Sequence, residues 1–215
     1  MRLFIDSADV AEVINRHQTG LVSGVTTNPT LIRKSNRKPW DVYHQLIEHG
    51  VQDLSIEIVG DSERELFEHS ISASKEYGKK ATIKLPCSID GLRACRRLAD
   101  VDVRVNVTLV FSVSQAILAS LAGAAYVSPF VGRLDDNSLD GIGLIERISE
   151  VFTVNHTRTQ VLAASIRDVQ SVERAFLAGA DICTVPVDVF DKMYNHVLTD
   201  KGIDQFNQDA SQFLT

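Results

Sequence analysis

Ala81-Thr82-Ile83-Lys84-Leu85-Pro86 is a run of strand length in which a lysine stands between apolar neighbours. Strand side chains alternate between faces, so Ile83 and Leu85 point one way and Lys84 the other. A sheet open to water on its second face accommodates that lysine at no cost. A sheet covered on both faces does not, and the neighbouring sequence decides which kind this is.

Seven further runs have the same character: Leu3–Asp6, Gly24–Asn28, Leu54–Val59, Val103–Leu109, Tyr126–Val131, Val161–Ser165 and Ile182–Pro186. Between them lie longer stretches with helical periodicity. Ser62–Tyr77 carries Leu66, Phe67, Ser70, Ile71 and Ser74 on one stripe, and Asp168–Ala178 carries Val172, Ala175 and Phe176. Asp61 and Asp168 stand where N-caps are expected. Alternating strands and helices imply a parallel sheet, and eight such units match a closed (β/α)₈ TIM barrel. Leu121-Ala122-Gly123-Ala124 and Leu177-Ala178-Gly179-Ala180 precede two of the strands, each with a glycine suited to a left-handed helix end. No linker divides the 215 residues, which read as one domain over 1–215. An additional C-terminal helix is expected at about 199–214, with Ile203, Phe206, Ala210 and Phe213 on helical spacing.

In a barrel one parity of each strand faces the helices and the other faces the interior. Ile5, Ile56, Ile58, Ile83, Leu85, Val105, Val107, Leu109, Val127, Leu162 and Ala164 are read as helix-facing. Their alternates are Asp6, Glu57, Lys84, Asn106, Thr108, Ser128, Phe130, Ala163 and Ser165. A barrel selected for stability alone fills such positions with aliphatic residues. Here two carboxylates, an ammonium, hydroxyls and an amide converge, mostly near the C-terminal strand ends where barrel active sites lie.

Lys84 is the centre of that set. Desolvation favours its neutral amine, which attacks carbonyls to form imines. Alone, the strand suits a lysine that snorkels to solvent or bridges a carboxylate. Glu57, Asp6 and Thr108 beside it favour catalysis. A structural Lys84–Glu57 pair is the competing reading. Asp6 is either an N-cap for the helix that follows or a general base. Arg133 and Arg167, with Ser165, suit phosphate recognition; the alternative is a pair of surface arginines bound to Asp135, Asp136 or Asp168.

The composition is that of an ordinary globule, 44% hydrophobic and 23% charged, with a net charge of −6. A mildly acidic chain without basic runs argues against nucleic acid and anionic membranes as partners. No apolar run approaches the roughly 20 residues of a membrane span, and Met1–Asp6 meets charge too soon for a signal-peptide core. Cys87, Cys95 and Cys183 form no C-x-x-C pair, which points to a reducing, cytoplasmic setting. The six histidines make no recognisable metal spacing, and there is neither a nucleophile elbow nor a phosphate loop. Neither metal nor organic cofactor is expected.

Five blocks, in order, resemble the transaldolase family: Gly24-Val25-Thr26-Thr27-Asn28-Pro29-Thr30, Ile83-Lys84-Leu85-Pro86, Asn106-Val107-Thr108-Leu109-Val110-Phe111, Val127-Ser128-Pro129-Phe130-Val131-Gly132-Arg133 and Ala163-Ala164-Ser165-Ile166-Arg167. The likeness covers about residues 2–206 and is strongest to the short-chain transaldolase and fructose-6-phosphate aldolase group. It implies a Schiff base on Lys84, with Asp6 taking the C4-hydroxyl proton and Glu57 and Thr108 holding a relay water. It also implies Thr26, Asn28, Asn106 and Ser128 at the donor hydroxyls or supporting the lysine, and Arg133, Ser165 and Arg167 at the phosphate. Aldolases of the group have Gln and Tyr where this chain has Glu57 and Phe130, so the resemblance leans to transaldolase. The implied reaction converts sedoheptulose 7-phosphate and glyceraldehyde 3-phosphate into erythrose 4-phosphate and fructose 6-phosphate, in the pentose phosphate pathway. A ring-like homo-oligomer, pentamer or decamer, is implied as well. The alternatives are a fructose-6-phosphate aldolase and a non-catalytic barrel that binds sugar phosphates.

Overall fold

A computed structural model describes residues 1–213. Its elements run β1 (Arg2–Asp6), α1 (Val10–His17), β2 (Val22–Thr26), α2 (Pro29–Ser35), α3 (Pro39–Glu48), β3 (Leu54–Glu57), α4 (Glu63–Tyr77), β4 (Ala81–Pro86), α5 (Ile89–Ala99), β5 (Val105–Val110), α6 (Val113–Leu121), β6 (Tyr126–Pro129), α7 (Val131–Asp135), α8 (Gly141–Val154), β7 (Gln160–Ala163), α9 (Val169–Leu177), β8 (Ile182–Val185), α10 (Val187–Tyr194) and α11 (Val197–Ser211). Among the described residues the eight strands pair in parallel in chain order, and β8 returns to β1. This is the expected (β/α)₈ barrel.

Local chemistry sets the boundaries. Asp168 caps α9 by accepting from the Ser171 amide, as expected. For α4 the cap is Ser62, one residue past the expected Asp61, and it accepts from the Glu65 amide. Asp9 caps α1, which frees Asp6 from that duty. Gly123 and Gly179 take the left-handed conformation at φ 86° and 92°, ending α6 and α9 as their sequence echo implied. β2 lies two residues earlier than expected. Asn28 is not in it but caps α2, with Pro29 in the first helical turn. β3 stops at Glu57, and Phe130 and Val131 belong to the start of α7.

The expected facings of Leu109, Leu162, Ala163 and Ala164 are corrected. Leu109 lies at φ 58° where the β5–β6 register shifts, and the next residue, Val110, takes the fully buried core position. On β7 the parity is opposite to that expected. Val161 and Ala163 pack in the core between barrel and helices, while Leu162 and Ala164 join Phe4, Tyr126 and Ile182 inside the barrel. Gly24 makes room for that inner cluster, because a Cβ there would meet the Phe4 ring at 2.6 Å.

The C-terminal helix forms as α11, but none of its residues is buried. Val197, Leu198, Ile203 and Phe206 are all exposed. Residue 214, the last of the expected helix, lies outside the described residues.

Candidate active site

The C-terminal ends of the strands surround a cavity of about 120 Å³. Asp6, Thr26, Asn28, Lys84, Asn106, Thr108, Ser128, Phe130, Arg133 and Ser165 all line it. Glu57 and Arg167 are the two expected site residues that stand outside its wall.

Register explains the convergence. Glu57 pairs with Lys84 across β3 and β4, and Lys84 with Asn106 across β4 and β5. The three side chains therefore enter the barrel side by side. Lys84 is 5% exposed, enclosed enough that its nitrogen needs defined partners. It has two: Nζ donates to the Thr27 carbonyl at 2.8 Å and lies 2.8 Å from Glu57 Oε2. The lysine thus points into the mouth, and the carboxylate holds it from the β3 side.

Asp6 occupies the opposite wall. The Thr26 hydroxyl donates to Asp6 Oδ1 at 2.7 Å, and the Thr26 and Thr184 hydroxyls lie 2.6 Å apart. A hydroxyl has one proton to give, so Thr184 donates to Thr26 while Thr26 donates to Asp6. Burial raises the Asp6 carboxyl above its ordinary range. The charge of Lys84 and the Thr26 hydrogen bond oppose that rise, and the charge of Glu57 adds to it. A carboxyl so placed, within the cavity wall and held by one hydroxyl, is suited to taking and returning a proton.

Ser128 donates to Asn106 Oδ1 at 2.7 Å, which fixes the orientation of the amide. Asn106 Nδ2 and Thr108 Oγ1 are buried without a protein partner among the described residues. Buried polar groups are rarely left so, and both belong to the cavity wall, where a polar ligand satisfies them. Ser165 sits at φ 60°, a left-handed conformation that side-chain-bearing residues adopt at a cost.

The two arginines differ. The Arg133 guanidinium lies 4.9 Å from the centre of the Phe130 ring and has no carboxylate partner among the described residues. Arg167 makes a forked pair with Asp136, one arm of it at 2.5 Å, and that pair holds the Asp136 carboxyl below its ordinary range. The surface-pair alternative therefore describes Arg167 as it stands here. Cys87, which follows the Lys84 strand, is no rival nucleophile: burial pushes its thiol up, away from the reactive thiolate.

Sequence reading missed Thr184, Leu162 and Ala164 in the wall and the Thr27 carbonyl on the lysine. Alternation along Ile182-Cys183-Thr184-Val185 carries the signal for Thr184. No residue-type signal marks a backbone carbonyl.

The sequence profile of the Transaldolase/Fructose-6-phosphate aldolase family matches residues 3–215. The chain belongs to this family. It is 46% identical over 213 residues to a probable transaldolase of Paracoccus denitrificans (strain Pd 1222), covering 97% of this chain and 96% of the relative. It is 44% identical over 209 residues to a probable transaldolase of Clostridioides difficile (strain 630), covering 97% and 96%. A probable transaldolase of Geobacter sulfurreducens is also 44% identical over 209 residues, covering 97% of each chain. Membership in the transaldolase/fructose-6-phosphate aldolase family agrees with the mouth just described, a lysine ringed by carboxylates, hydroxyls and amides. Among the described residues, no helix is long and apolar enough to cross a membrane.

Proposed function

We propose that this chain is a transaldolase that carries a dihydroxyacetone unit between sugar phosphates as a Schiff base on Lys84. The observation that carries the reading is the enclosed Lys84 nitrogen, aimed into the mouth with Glu57 at 2.8 Å and Asp6 across the cavity.

The steps follow from those positions. Lys84 passes a proton to Glu57, and the neutral amine adds to the C2 carbonyl of a ketose phosphate. The carbinolamine hydroxyl leaves as water with the proton that Glu57 returns, and C=N⁺H remains. Thr108 and Glu57 orient that water. Asp6 then takes the C4-hydroxyl proton, the C3–C4 bond breaks, and its electrons flow into the iminium to give an enamine. An aldose phosphate enters, the enamine carbon attacks its aldehyde, and Asp6 protonates the new alkoxide. Water addition reverses the first steps and frees the product. Thr26, Asn28, Asn106 and Ser128 bind the hydroxyls of the donor, and Phe130 walls the enamine. Arg133 and Ser165 bind the phosphate, joined by Arg167 once it exchanges Asp136 for the ligand. The substrates are sedoheptulose 7-phosphate with glyceraldehyde 3-phosphate, and fructose 6-phosphate with erythrose 4-phosphate, which places the enzyme in the pentose phosphate pathway. The covalent carrier is the lysine itself, so the cycle uses no cofactor.

The same reading includes a cytoplasmic setting, in keeping with three free cysteines, and a ring-like homo-oligomer, pentamer or decamer, in keeping with the exposed apolar residues of α11. Light scattering tests the assembly. Borohydride trapping tests the chemistry: fructose 6-phosphate plus reductant is expected to add a dihydroxyacetone- or hexose-derived mass to the peptide that holds Lys84. Tight sugar-phosphate binding with no adduct sinks the reading in favour of a non-catalytic barrel.

A further inference from the structure

Along β8, Ile182 belongs to the apolar cluster inside the barrel, and Thr184, the next residue of the same parity, lines the mouth above it. Thr184 stands level with Phe4 on one side of β1, and Thr26 stands level with Asp6 on the other. A residue that only fills this place needs no oxygen: valine has the same shape, and an enclosed hydroxyl costs stability unless it is bonded. Thr184 is 3% exposed, and its hydroxyl lies 2.6 Å from Thr26 Oγ1, which lies 2.7 Å from Asp6 Oδ1. An ionised carboxylate only accepts, so Thr26 gives its proton to Asp6 and takes one from Thr184. Hydrogen bonds in such a chain polarise one another, and the Thr184 donation makes Thr26 the stronger donor to Asp6.

We propose that Thr184 is a positioning residue for C–C bond cleavage: through Thr26 it fixes the direction of the hydrogen bond to Asp6 and holds that carboxylate ionised and oriented for the C4-hydroxyl proton. The proposal rests on the imine-forming reading of Lys84, with Asp6 as the proton acceptor. Thr26 occupies Oδ1, so Oδ2 takes the proton as the C3–C4 bond breaks and its electrons enter the iminium. A carboxylate whose orienting donor is free to turn away loses that alignment. Burial raises the Asp6 carboxyl, and the Lys84 charge and then the Thr26 hydrogen bond oppose the rise, so weakening the Thr26 bond leaves Asp6 protonated over a wider range of pH. The lysine is served by other groups: Nζ is held by the Thr27 carbonyl and Glu57. The effect of Thr184 therefore falls on cleavage and not on imine formation.

The test compares Thr184→Val with Thr184→Ser in the full-length protein. Single-turnover release of glyceraldehyde 3-phosphate from fructose 6-phosphate reads cleavage, and the total borohydride-trapped adduct on Lys84 reads imine formation. Thr184→Val is expected to slow cleavage about 5-fold, the worth of one neutral hydrogen bond. Its adduct rate and its KM for fructose 6-phosphate should stay unchanged, and more of its adduct should be hexose-derived. Thr184→Ser, which keeps the hydroxyl, is expected to restore cleavage. The acid limb of the cleavage–pH profile should move to higher pH in Thr184→Val. Lys84 and Glu57 act on Asp6 from β4 and β3, Arg133 shares the mouth wall, and Glu12, Arg16, Asp188 and Asp191 border Asp6 from α1 and α10. All of these charges are the same in Thr184→Val, so the shift reads the hydroxyl. Equal slowing of adduct formation and cleavage, an unmoved acid limb, or no rescue by serine overturns the proposal. If Thr184→Val does not fold, Thr184→Ala takes its place against Thr184→Ser; if neither folds, the hydroxyl is structural and the proposal is likewise overturned. Absence of adduct in the unmodified protein is a different failure, that of the imine reading itself.

Discussion

The Tyr126 phenol donates to Asp53 Oδ2 at 2.6 Å, at the floor of the barrel and at the opposite end from Lys84. Thr82 donates to the other carboxylate oxygen at 2.7 Å, and Arg104 reaches Oδ2 at 3.2 Å. The carboxylate is nearly enclosed and joins residues at the N-terminal ends of β4, β5 and β6 to the segment before β3. Asp53→Ala leaves three buried or half-buried donors facing a void. It is expected to lower unfolding stability by about 3 kcal/mol, and Tyr126→Phe by about 1 kcal/mol. Urea unfolding measures both. Adduct formation on Lys84 in the folded fraction should be unchanged, because the floor is remote from the mouth. A loss of adduct without a loss of stability contradicts this division of labour.

How much of this was legible in the sequence depends on what each residue reports. Lys84, Asn106, Thr108 and Ser128 sit on strands where apolar neighbours alternate cleanly, so their inward facing follows from parity alone. Leu162 and Ala164 defeat that rule, because β7 is apolar on both faces and periodicity carries no phase there. Asn28 was legible as a site residue but not as a helix cap, since strand and cap signals overlap at Thr27-Asn28-Pro29. The Asp53 network went unseen: Asp53 precedes its strand and reads as a loop carboxylate until the barrel closes around it. Arg167 was legible as a cation near the mouth, yet nothing local chose between a phosphate and Asp136.

Asp6 should destabilise the protein at neutral pH. Its carboxyl binds a proton more tightly when folded than when unfolded, because burial outweighs Lys84 and Thr26. Stability from this group is therefore full at low pH and is lost as pH rises through the raised folded value. Asp6→Asn keeps an acceptor for Thr26 without the charge. At pH 7 it is expected to unfold at higher urea than the unmodified protein, with the gain disappearing in acid, while retro-aldol cleavage is abolished. Parallel pH–stability curves for the two proteins contradict the raised value.

Phe130 and Glu57 bear on whether the enamine is transferred or released. Phe130 lines the mouth, its ring flanked by Phe111 at 6.0 Å and by Arg133, and it supplies no proton. Phe130→Tyr sets a phenol at that wall, and Glu57→Gln removes the carboxylate beside Lys84. Phe130→Tyr alone is expected to release dihydroxyacetone from fructose 6-phosphate several-fold faster without an acceptor and to lose acceptor-dependent transfer, whereas adding Glu57→Gln removes the group that cycles the Lys84 proton and slows both reactions. An enzymatic assay for free dihydroxyacetone reads this directly. Rapid acceptor-free release by the unmodified protein makes it an aldolase from the outset and removes the basis of the prediction.

Arg133 and Arg167 should respond in opposite ways to changes around the phosphate site. Arg133 stands over Phe130 with no carboxylate partner among the described residues, so its charge is available to a ligand from the start. Arg167 spends its fork on Asp136, and a phosphate has to compete with that carboxylate. Inorganic phosphate, as a competitive inhibitor of transfer, measures the difference without involving the imine. Arg133→Ala is expected to weaken phosphate inhibition about 10-fold, the cost of losing one charged hydrogen-bonding partner. Asp136→Asn is expected to strengthen it, since the amide no longer holds the guanidinium and the local potential becomes more positive. Arg167→Ala in the Asp136→Asn background should cancel that gain. If Asp136→Asn leaves phosphate inhibition where it was, Arg167 is a surface ion pair and Arg133 with Ser165 carries the phosphate without it.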